Sequence, residues 1–137
     1  MENNAKGSGF LRVTGILMII FGSIAIILGI VAIAGIAALA YISDGELSSG
    51  LLYTAGIFTL VSAVAEFVTG IIGVKNCKRP EKAGVCIGWG VVVIVMDIIG
   101  SILTVVGGSS FPVFSFLLGL VIPVLFIIGA VKNKSVA

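Results

Sequence analysis

Two carboxylates stand inside long uncharged apolar stretches: Glu66 within Leu51 to Val74, and Asp97 within Gly84 to Gly107. An acid near the centre of a membrane-length helix costs roughly 2.5 to 3.5 kcal/mol on insertion scales, so each needs a compensating environment. By helical spacing Glu66 shares a face with Thr59, Ser62, Ala63, Thr69, Gly70 and Gly73. Asp97 shares one with Gly90, Gly100, Ser101, Thr104 and Gly108. Both faces are small and hydroxyl-bearing, which suits contact with another helix and not with lipid. The chain has no histidine, and no Lys or Arg falls inside either stretch to neutralise the acids. Three outlets remain: protonation, a hydrogen bond to Ser62, Thr69, Ser101 or Thr104, or a bound ion. Pro123, within the last apolar stretch, cannot donate to the carbonyl of Gly119, which leaves that carbonyl as a further cation ligand or as the mark of a kink. The constellation therefore reads in two ways. It is a proton or cation path with Asp97 above Glu66 and Gly119 nearby, or it is interhelical hydrogen-bond glue contributing ~0.6 to 2 kcal/mol per acid.

Other chemistry has little to stand on. There is no Gly-x-Ser-x-Gly elbow, P-loop, His-Glu-x-x-His or Cys-x-x-Cys, so no enzyme activity and no cofactor are expected. Cys77 and Cys86 have eight residues between them, in no zinc pattern, and both flank a loop expected to be cytoplasmic, so neither a metal site nor a disulfide is expected. The eight basic residues are split among three segments without aromatic interleaving, which is a poor footprint for nucleic acid.

The elements that must hold the acids follow from composition. With 59% hydrophobic and 10% charged residues, the chain is far from a soluble domain, where roughly a quarter of residues are charged. Four spans are expected, at about 13–41, 51–74, 84–107 and 112–131, in an all-α four-transmembrane-helix bundle forming a single domain. They leave short tails at 1–12 and 132–137, a basic loop at 75–83, and outer loops at 42–50 and 108–111. The run Val13 to Tyr41 would measure ~43 Å as a straight helix against a ~30 Å hydrocarbon core, so it must tilt or protrude. Gly15, Gly22 and Gly29 recur at seven-residue intervals and, with Gly56, Ala63, Gly70 and Gly73, form the expected close-packing surface. Pro112 suits the first turn of the fourth helix, Pro80 the end of the second, and Trp89 an interfacial anchor.

Orientation follows from the basic residues. Lys6 and Arg12 precede the first span, Lys75, Lys78, Arg79 and Lys82 separate the second from the third, and Lys132 and Lys134 follow the fourth. All fall on one side, so both termini and the central loop are expected in the cytoplasm. Lys75, Lys78, Arg79 and Lys82 are also candidates for anionic lipid head groups, at ~1 kcal/mol each.

Ile71-Ile72-Gly73-Val74-Lys75-Asn76 is echoed by Ile127-Ile128-Gly129-Ala130-Val131-Lys132-Asn133, and Gly22-Ser23-Ile24 by Gly100-Ser101-Ile102. A duplicated helical hairpin would explain both matches, and so would the shared composition of Gly/Ile/Val helices. Gly70-Ile-Ile-Gly73, Pro80-Glu81-Lys82-Ala83 and Cys86-Ile87 together resemble small four-span membrane proteins of Gram-positive gut bacteria, over about residues 60 to 90. The resemblance implies a bacterial cytoplasmic membrane and says nothing of mechanism. The leading expectation is a non-enzymatic structural or accessory component, held by glycine-rich packing in a homo-oligomer or against another membrane protein. The alternative is a small transporter or channel for a proton or monovalent cation.

Overall fold

The computed structural model describes residues 7–44, 49–106 and 113–134. They form four helices: α1 (Ser8–Ile42), α2 (Ser49–Asn76), α3 (Ala83–Val106) and α4 (Val113–Lys134), with a single 3-10 turn at Pro80–Lys82 leading into α3. All four are long and apolar enough to cross a membrane, and the chain is a multi-pass membrane protein. Six of the eight helix ends lie past the expected span ends: α1 covers 8–42, α2 covers 49–76, α3 begins at Ala83 and α4 continues to Lys134, while the described parts of α3 and α4 end at Val106 and begin at Val113. A backbone leaving hydrocarbon keeps its internal hydrogen bonds until water can replace them, so helices outlast their apolar cores. Pro80 does not itself stop α2. The helix ends at Asn76, the Arg79 N–H donates to the Asn76 carbonyl at 2.9 Å, and Pro80 opens the following turn. Pro112, expected in the first turn of the fourth helix, lies outside the described residues, as do Gly107 and Gly108.

The helices pack as a ring in the order α1–α2–α3–α4 and back to α1, with α1 on α2 the most extensive pair. Alternating direction gathers Ser8, Asn76, Ala83 and Lys134 at one end, called here the basic end. The α1–α2 contact is made by glycine. A Cβ at Gly15 would lie 3.0 Å from the Gly70 carbonyl oxygen, one at Gly22 2.9 Å from the Phe67 nitrogen, and one at Gly29 3.2 Å from the Leu60 side chain. One at Gly56 would lie 3.1 Å from Ile33. Backbones this close leave no room for side chains between them, and dispersion across the interface is gained in their place.

Packing is uneven along the bundle axis. Every buried residue of α1 lies between Leu11 and Gly29, and those of the other helices lie in 63–73, 83–93 and 122–133, with Cys77 buried in the turn after α2. In the opposite halves, 30–44, 50–62, 94–106 and 113–121, no described side chain is buried. Phe126 plugs the dense half. It is fully buried, and a Cβ at Gly73 on α2 would lie 2.7 Å from its Cζ while one at Gly90 on α3 would lie 3.4 Å from its Cδ1. Leu11, Met18, Cys77, Cys86, Val93, Ile122 and Ala130 complete this core. The bundle is thus closed at the basic end and loose at the far end.

Candidate functional site

Glu66 and Asp97 line the same cavity, of about 190 Å³, where the dense half of the bundle gives way to the loose half. Counted at ~1.5 Å per residue, Glu66 lies ~15 Å from the Asn76 end of α2 and Asp97 ~21 Å from the Ala83 end of α3, which puts Asp97 ~6 Å nearer the far end. All four helices contribute walls: Ala25 from α1, Phe58, Thr59, Ser62 and Ala63 from α2, Met96, Gly100, Ser101 and Thr104 from α3, and Phe116 from α4. No lysine or arginine is among the lining residues.

The hydroxyl groups determine what the lining offers. Thr59 Oγ1 donates to the Ala55 carbonyl at 2.8 Å, Ser101 Oγ to the Asp97 carbonyl at 2.9 Å, and Thr104 Oγ1 to the Gly100 carbonyl at 2.9 Å. A hydroxyl has one proton and two lone pairs. With the proton committed to the helix's own backbone, these three groups present only acceptors elsewhere. Among the described residues, neither acid has a hydrogen bond to another helix, and Asp97 Oδ2 is buried with no partner.

Asp97 instead packs on a glycine. A Cβ added to Gly119 on α4 would overlap Oδ2 of Asp97 and would lie 2.8 Å from its Cγ. Gly119 is the residue whose carbonyl Pro123 leaves unbonded, and Pro123 is itself fully buried. The sequence-predicted residues thus divide. Glu66, Asp97, Ser62, Ser101, Thr104 and Ala63 meet at the cavity, and Gly119 touches Asp97 from the fourth helix.

Thr69 does not join them. It is fully buried, donates to the Ala65 carbonyl at 2.7 Å and is absent from the cavity lining. Gly70 and Gly73 face α1 and Phe126, and Gly90 faces Ile127. The stripe through each acid therefore serves the site on one side and helix packing on the other.

Helical spacing from the acids missed Phe58, Met96 and Phe116. Phe58 precedes Glu66 by two turns and Phe116 precedes Gly119 by one, so Phe58 belongs to the stripe of Glu66 and Phe116 to that of Gly119, but neither carries the polar group by which the other lining residues were found. The Phe58 ring lies across the helix gap against Gly100, whose Cβ would sit 3.6 Å from Phe58 Cδ1. Among the described residues no group of three or more metal-ligating side chains is found. Cys77 and Cys86 are both buried free thiols at the basic end. Lys132 lies 5.9 Å over the Phe10 ring, tying α4 to the start of α1.

The chain matches no protein-family model, no curated protein and no solved structure.

Proposed function

We propose that this protein is a small proton- or cation-coupled transporter or channel of a bacterial cytoplasmic membrane, with the basic end in the cytoplasm and the cleft facing outward. The observation that carries this reading is the cavity shared by Glu66 and Asp97, where three of the four lining hydroxyls donate to their own helices and present acceptors to the space, and no basic side chain is among the lining residues. A carboxylate in such a site is neutralised by a proton or by a cation, and the two compete for it. Cation arrival releases a proton to the aqueous side, and cation departure takes one back. Interhelical glue is supported less well, because neither acid reaches another helix by a hydrogen bond among the described residues.

The test is a pH-jump current measured on proteoliposomes adsorbed to a solid-supported membrane. The wild type is expected to give a transient current, and the Glu66→Gln/Asp97→Asn double variant none while remaining folded. Equal currents from both, or none from the wild type, would reject the reading.

An accessory, oligomer-forming role is the second reading. Gly35, on the exposed far half of α1, has nothing within 4 Å of its Cβ position and leaves room for another helix. A Gly35→Leu variant that remains in the same assembly as the wild type, judged by native mass spectrometry, would remove that reading.

A further inference from the structure

We infer that the cleft takes a single-ring organic ammonium ion, held with its charged head at Asp97 and Glu66 and its ring between Phe58 and Phe116. This rests on the reading of the cleft as a cation site and names the class of cation.

Size is the first argument. The cavity of about 190 Å³ is comparable to the ~150 Å³ space that accommodates benzene in a protein interior, and several times the ~30 Å³ share of one water molecule. An alkali-metal ion gives up its hydration shell only to a ring of converging oxygens. Here the side-chain oxygens come from α2 and α3 alone, and the remaining wall is Ala25, Phe58, Ala63, Met96, Gly100 and Phe116.

Chemistry is the second. Aromatic faces attract organic cations through the ring quadrupole, and a thioether is a polarisable, adaptable wall. Two carboxyls supply the counter-charge, and the three hydroxyls that donate to their own helices have acceptor capacity for an N–H or a polarised N–CH.

Placement is the third. Both α2 and α4 run from the far end toward the basic end, so Phe58, two turns before Glu66, and Phe116, one turn before Gly119, lie on the far side of the acids. A ligand entering from the loose end meets an aromatic collar first and the carboxyls beneath it. Below them Phe126 and the α1–α2 glycine contact close the path.

The experiment is calorimetric titration of the full chain in lipid nanodiscs with benzyltrimethylammonium, beside sodium, potassium and neopentylbenzene, the uncharged isostere. Saturable one-to-one binding of the aryl cation alone is expected. Phe58→Leu, which keeps the bulk and removes the ring, should weaken it about tenfold, while Phe58→Tyr should retain it. Glu66→Gln/Asp97→Asn should abolish it, with circular dichroism checking the fold. Binding of sodium or potassium in place of the aryl cation would overturn this inference and leave the cation site standing, as would a wild-type pH-jump current with no aryl-cation binding. Equal binding of the neutral isostere, or undiminished binding to Phe58→Leu, would overturn it as well. Absence of both binding and current would reject the cation site itself.

Discussion

The carboxyl of Asp97 on α3 rests against the bare Cα of Gly119 on α4, in a space that a single methyl group would fill. The first expectation follows from that contact. Gly119→Ala should force the Asp97 side chain from its position and cost about 1–3 kcal/mol of stability, the usual range for overpacking. Asp97→Ala should relieve most of this cost in the double variant, giving a coupling of about 0.5–3 kcal/mol in a thermal-unfolding cycle. Strict additivity would show that the two residues do not meet.

Glycines in this bundle should be unequal in the same assay. A Cβ at Gly70 would lie 2.6 Å from the Gly15 carbonyl oxygen and 2.9 Å from the Ile19 nitrogen, both backbone atoms that cannot swing aside. Gly84 and Gly88 have nothing within 4 Å. Gly70→Ala is expected to lower the melting temperature well beyond Gly84→Ala or Gly88→Ala, which should be near neutral. A reversed order would displace the α1–α2 contact from its role in stability.

Phe126 offers a separate test of the closed end. Truncation to alanine should cost about 3–5 kcal/mol, because a fully buried ring leaves a cavity that its neighbours only partly fill. Phe114, on the same helix but 77% exposed, should tolerate the change far better. Similar melting temperatures for the two variants would contradict the packing described for the basic end.

Protons and cations should compete for Glu66 and Asp97. A proton on a carboxyl removes the charge that a cation needs, so the apparent affinity for benzyltrimethylammonium should rise with pH until both groups are ionised and fall as pH is lowered. The lining contributed by α1 and α4, Ala25 and Phe116, carries no ionisable group, and Glu66 and Asp97 are the titratable groups facing the cleft from α2 and α3. An affinity that does not vary with pH in titrations at several values would remove the acids from the site.

Orientation can be read by thiol labelling of intact cells. Asp44, beyond the far end of α1, and Lys78, in the turn after α2, are both exposed. In a background lacking Cys77 and Cys86, Asp44→Cys should react with an impermeant maleimide from outside, and Lys78→Cys only after permeabilisation. The opposite pattern would invert the protein in its membrane.

The sequence by itself determined the four helices and much of the acids' surroundings. Apolar runs of membrane length favour the helix, which satisfies its own backbone, and the residues at helical spacing from each acid are mostly small or hydroxyl-bearing. Helical periodicity places Ser62 and Glu66, or Asp97 and Ser101, on one face because that relation is local. It does not say which side of the stripe faces which helix. Only the tertiary structure brought Glu66 and Asp97 to one cavity, turned Thr69 into the core, set Gly119 beneath Asp97 and stood Phe58 and Phe116 on the far side of the acids. Those relations depend on how far each helix is rotated and slid against the next. That is decided by backbone contacts such as Gly15 with Gly70, and by the Phe126 ring, which packs against α2 and α3 at once.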